Sequence, residues 1–146
     1  MTNKFSNALI TNANWSDEVG KSCQAIIEDI VVSPDIAIVF VSPHFADEFQ
    51  DIADAIQETL QPRNMIGCVG DSIVSGGREI EGDPAITIWA AALPDTKIET
   101  ARLLLERVPD RGFISGTEEL PFDQITEREE SALIVLGEPF SFPADL

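Results

Sequence analysis

Short uninterrupted apolar runs alternate along this chain with longer stretches in which apolar residues return every three or four positions, the pattern of strands alternating with helices. Ile36 to Val41 reads IAIVFV. With neither face left polar, it predicts the central strand of a sheet covered by helices on both sides. Met65 to Val69 is a second buried strand. Between the two, Phe45, Phe49, Ile52, Ala53, Ile56 and Leu60 form one helical stripe with acidic residues opposite, and Ser42-Pro43 offers that helix an N-cap and first residue. The order strand, helix, strand predicts a βαβ unit, hence a parallel pair joined by a right-handed crossover.

The rest of the chain extends this unit. Lys4 to Thr11 suits a strand ended by the turn residues Asn12 to Asn14. Ser16 is the predicted N-cap of an amphipathic helix carrying Val19, Cys23, Ile26, Ile27, Ile30 and Val31 on one face, stopped by Ser33-Pro34. Trp15 is placed to staple its start. Gly70 to Asp83 is glycine-rich and reads as a loop or short hairpin. Ala85 to Leu93 is another core strand, with Lys97 to Leu105 as its antiparallel neighbour, although Ile98, Ala101, Leu105 and Val108 also fit a helical period. Val108 to Glu130 reads as a surface connection and Ala132 to Gly137 as a final apolar strand. FVSPHF at Phe40 to Phe45 is similar to VLGEPFSF at Val135 to Phe142, which suggests a duplicated β-α unit, with chance similarity as the competing account. The expected fold is α/β: a mixed sheet with a βαβ core unit and helices packed on it. Residues 1–146 are expected to form one domain, an incomplete N-terminal portion of a larger one.

Charge narrows the partners. The chain of 146 residues carries 26 acidic against 9 basic side chains, a formal −17. That balance repels phosphate backbones and anionic headgroups, so neither nucleic acid nor a membrane surface is an expected partner. Cys23 and Cys68 are too few for a disulfide framework, and no apolar run is long enough for a signal peptide or a span. A reducing, cytoplasmic setting is expected.

Candidate chemistry gathers beyond the carboxyl ends of the parallel strands, where ligands collect in open α/β sheets. Ser42 and His44, at a helix start, place a hydroxyl, the chain's one imidazole and backbone N–H groups together. The competing reading is a plain helix cap with a half-exposed histidine. Gly67, Cys68, Gly70, Asp71, Ser72, Gly76, Gly77 and Arg78 form the second segment, in which glycines admit close backbone approach and Arg78 suits a carboxylate. A tight turn explains the same glycines, and the spacing matches no nucleotide loop. Cys68 is a nucleophile only with His44 as its base, and a buried structural thiol is the commoner case. One histidine and two separated cysteines make no metal-ligand set. Asp47, Asp51, Asp54 and Glu58 read as solvated charge, and Trp89 as core or as a platform for a ligand.

Several segments together resemble the N-terminal domain of the FIST family: FSNALIT, IAIVFVSPHFADEF, IGCVGDSIVSGGREIEG, AITIWAAALP and LIVLGEPFSFPADL, in family order through nearly the whole chain. The resemblance implies an intracellular sensory domain that binds an amino acid or similar small metabolite and is not an enzyme. It also implies partnership with a C-terminal FIST domain or a signalling protein. Some relatives bind haem and respond to nitric oxide, a role for which His44 is the sole axial candidate. A partner-completed structural module and a Cys68-based enzyme are the alternatives.

Overall fold

A computed structural model describes residues 2–108, 111–116 and 131–137. The chain forms two compact units, Met1–Ile98 and Glu99–Leu146.

In the first unit, β1 (Lys4–Ile10), β2 (Ile36–Val41), β3 (Met65–Val69) and β6 (Ile86–Ala92) make one mixed sheet in the order β1-β6-β2-β3. β2 and β3 are parallel, in the register Val39 to Gly67 and Phe40 to Cys68. β6 runs antiparallel to both β2 and β1, so β1 and β2 point the same way with β6 inserted between them. The helices α1 (Ser16–Ile30) and α2 (Phe49–Leu60) are the two crossovers, from β1 to β2 and from β2 to β3.

Both crossovers step in the same direction along the sheet. Two right-handed crossovers of the same direction lie on the same face, and the packing agrees. Val19, Cys23, Ile26 and Ile30 of α1 and Ile52, Ile56 and Leu60 of α2 share one core with Ala37, Val39, Val41, Ile86, Ile88 and Ala90. These strand residues are alternate positions and therefore one face of the sheet. The expectation of helices on both sides of β2 is thus corrected. Covering the second face needs a crossover of reversed direction, and α1 and α2 do not supply one.

The Gly70–Asp83 segment is a hairpin, β4 (Ser72–Ser75) paired with β5 (Arg78–Glu81). Its turn is Gly76-Gly77, with φ of 57° and 79°, a conformation that admits glycine without strain. The hairpin lies on the second face: Ile73 is 1% exposed, and Ser75 Oγ donates to Asn7 Oδ1 at 3.2 Å.

Two caps differ from expectation. Ser16 lies inside α1, where its hydroxyl turns back to Asn14 Oδ1, and Trp15 takes the cap position with its carbonyl accepting from Glu18 and Val19. Ser42 does not open α2. A single 3-10 turn, Pro43–Phe45, comes first, and α2 starts four residues later at Phe49.

In the second unit, β7 (Leu104–Val108) pairs with β8 (Arg111–Ser115). The strand expected over Lys97–Leu105 is therefore shifted toward Val108 and paired with a later segment, and the connection expected over Val108–Glu130 contains β8. Ala132–Gly137 is not a strand. Leu133, Ile134 and Val135 are 54%, 59% and 49% exposed, and among the described residues they have no ladder partner, which an apolar run needs to become β. The rest of the proposed repeat, beyond residue 137, lies outside the described residues.

Candidate functional site

The parallel pairing of β2 and β3 brings their carboxyl ends to one rim, and the chain leaves that rim twice. After β2 come Ser42 and the 3-10 turn; after β3 comes Gly70, whose amide donates to the Val41 carbonyl at 2.9 Å. This bond ties the two exits together.

Ser42 is the pivot of the first exit. Its amide donates to the Ala85 carbonyl at 2.8 Å and its Oγ accepts from the Ala85 amide at 3.0 Å, so the corner is clamped to the start of β6 from both sides. The same hydroxyl lies 3.3 Å from His44 Nδ1. With the imidazole neutral and Nδ1 unprotonated, Ser42 donates to the ring, which leaves the Nε2–H as a donor. Ser42 is 2% exposed whereas His44 is exposed. The buried hydroxyl thus orients an accessible ring. Nothing within the SPHF stretch signalled Ala85 as a partner, because the contact spans 43 positions.

On the second exit, Gly70 is half-buried, while Asp71 and Ser72 are exposed, and Ser72 Oγ donates to Glu79 Oε1 at 3.1 Å. Ser42, His44, Gly70, Asp71 and Ser72 therefore stand at one end of the parallel pair. The remaining predicted residues are elsewhere. Gly67 lies in β3 on the helix face, where an added Cβ would come 2.2 Å from the Val39 carbonyl oxygen, so strand packing explains this glycine. Cys68 is half-buried on the opposite face, level with Phe40, and burial raises its thiol pKa above the ordinary value. Among the described residues Cys68 has no hydrogen-bonded base. Gly76, Gly77 and Arg78 occupy the far end of the hairpin, beside Asn7 of β1, and Arg78 is exposed.

The surroundings of His44 do not fit haem. Pro43, Ala46, Asp47 and Glu48 are all exposed, so the side chains next to His44 along the chain put carboxylates and solvent, not an apolar wall, beside the ring. Among the described residues no group of three or more His, Cys, Asp or Glu side chains is arranged to hold a metal ion, and no helix is long and apolar enough to cross a membrane.

Residues 35–146 match the FIST N domain family, commonly described as a sensory domain in signalling. The uncharacterized protein Rv0628c of Mycobacterium tuberculosis is 32% identical over 114 residues, covering 78% of this chain and 28% of that protein. The uncharacterized protein Mb0898c of Mycobacterium bovis is 31% identical over 114 residues, with the same shares covered. The chain thus spans little more than a quarter of the length of these relatives. No solved structure matches it. The matched residues include β2, the Ser42–His44 corner, β3, the hairpin and β6, and on that extent of similarity the chain belongs to the FIST N domain family.

Proposed function

We propose that this chain is a small-ligand-binding sensory domain whose ligand is an amino acid or a similar small metabolite, recognised at the rim of β2 and β3. The observation that carries the reading is the Gly70–Val41 bond, which holds the Ser42–His44 turn and the Gly70–Ser72 turn at the same end of the sheet. An imidazole N–H at His44 suits a carboxylate, and the exposed Asp71 carboxylate suits an ammonium group. A zwitterion presents both. The hairpin that begins at Ser72 is the segment whose ordering a bound ligand would change, and this ordering would pass the signal on to a C-terminal FIST domain or a signalling protein.

Binding is favoured over catalysis by the state of Cys68. Burial raises its pKa, so the thiol stays protonated near neutral pH and is a poor nucleophile. A thermal-shift screen of amino acids and small carboxylates tests the proposal. It expects at least one stabilising compound whose effect His44→Ala abolishes, whereas loss with Arg78→Ala alone would move the site to the hairpin tip. A screen without a His44-dependent hit would contradict the rim as the binding site.

A further inference from the structure

The rim has a third chain exit. β1 points the same way as β2, so residues 11–15 leave the sheet at the end where Ser42 and Gly70 leave it. Trp15 and Glu48 hold the cap positions of α1 and α2, and neither side chain bonds to its own helix. They bond to each other instead: Trp15 Nε1 donates to Glu48 Oε2 at 2.5 Å, across 33 positions of sequence. The Trp15 ring is half-buried against the core, whereas Glu48 is exposed. A rigid aromatic side chain thus fixes a carboxylate that reaches solvent, four positions after His44. An indole N–H only donates, so this bond occupies Oε2 alone. Among the described residues Glu48 makes no other side-chain hydrogen bond or ion pair, which leaves Oε1 to accept from a bound molecule.

We infer that Glu48, positioned by Trp15, selects a ligand with a cationic side chain, an amino acid of the arginine or lysine kind. The inference rests on the rim reading above, in which His44 meets the ligand carboxylate and Asp71 its α-ammonium group. Those two contacts use one acceptor of positive charge. The three exits, residues 11–15, 42–48 and 70–72, hold Asp47, Glu48 and Asp71 but no Lys or Arg. Even with a charged imidazole these exits are net negative. A zwitterion leaves that charge unbalanced and a dicarboxylate adds to it, whereas a second cationic group offsets it. Glu48 suits this second contact because it is already ordered. An exposed glutamate ordinarily loses rotamer freedom when it forms an ion pair, and the bond from Trp15 removes part of that freedom before the ligand arrives. The indole also brings an aromatic face, to which guanidinium and ammonium groups are attracted. Trp15 acts through Glu48 and is therefore a positioning residue.

Isothermal titration calorimetry of the full chain tests this with arginine and lysine against their neutral counterparts citrulline and norleucine, in about 0.15 M and about 1 M salt. At the lower salt each cationic compound should bind about three- to fivefold tighter than its counterpart, the range of an exposed ion pair. The preference should shrink at the higher salt, which a preference of shape alone would not do. Glu48→Gln should abolish it while citrulline and norleucine bind as before, and Trp15→Phe, which keeps a ring but lacks the N–H, should reduce it. Equal binding within each pair, or a preference that Glu48→Gln leaves intact, would overturn the inference. His44-dependent binding of the neutral compounds would in that case leave the rim reading standing. Binding of none of the four would also overturn the inference, and the wider screen would then decide the rim reading by itself. Glu48 is exposed, so Glu48→Gln keeps the test decisive if Trp15→Phe unfolds.

Discussion

Ser42 shows how much a single buried hydroxyl carries in this fold. Its Oγ accepts from the Ala85 amide and reaches His44, and its own amide is paired with the Ala85 carbonyl. Ser42→Ala strands a buried N–H, and the expected loss is about 1–3 kcal/mol of stability in urea titration. Gly67→Ala places a Cβ against the Val39 carbonyl, which is backbone and yields only by moving the strand; a loss of about 1–3 kcal/mol is expected by the same measurement. Cys23 gives a pH dependence. Burial alone pushes its thiol up to about 11, from an ordinary value of 9.0. The folded chain keeps a proton that the unfolded chain releases, so this contribution to stability is full below pH 9.0 and is lost as pH rises toward about 11. Urea midpoints measured across that window should fall in the wild type, and fall less in Cys23→Ala.

Among the elements, the helices and the four sheet strands were legible in the sequence because their signals are local: an apolar stripe at helical spacing, or an apolar run of strand length. What was not legible depends on partners distant in the chain. The apolar run at Ala132–Gly137 reads as β, but a strand exists only where another strand accepts its hydrogen bonds, and residues 131–137 are exposed and irregular. The second face of β2 was misread in the same way, since apolar residues on both faces say that both are to be covered but not by what. At the site, proline and glycine marked both chain reversals, whereas the Ser42–Ala85 clamp, the Asn7–Ser75 contact and the displacement of Arg78 to the hairpin tip had no local signal. Two substitutions probe element ends. Val31 closes α1 at φ 68°, a left-handed conformation that is costly for a β-branched residue, so Val31→Gly should gain about 0.5–1 kcal/mol after the entropy cost of glycine. That corresponds to a rise of roughly 2 °C in Tm, measurable by calorimetry. Gly77→Val, at φ 79°, should in contrast cost the hairpin about 1–2 kcal/mol, seen as faster amide exchange across Ser72–Glu81 with the main sheet unaffected.

At the scale of the whole molecule, the asymmetry of the first unit organises the sensory reading. Helices cover one face of the sheet and the hairpin lies on the other, while the parallel pairing of β2 and β3 brings two strand ends to one rim. A formal charge of −17 bears on the whole chain, and screening its self-repulsion should raise the urea midpoint between low and high salt without changing the slope. The most direct measurement of the sensory reading is an amide-resolved NMR titration with the best stabilising compound from the screen. The expected result is a saturable set of shifts concentrated at residues 42–45 and 70–72 and extending into the hairpin. Shifts centred on the helix layer, or none at saturating ligand, would contradict it.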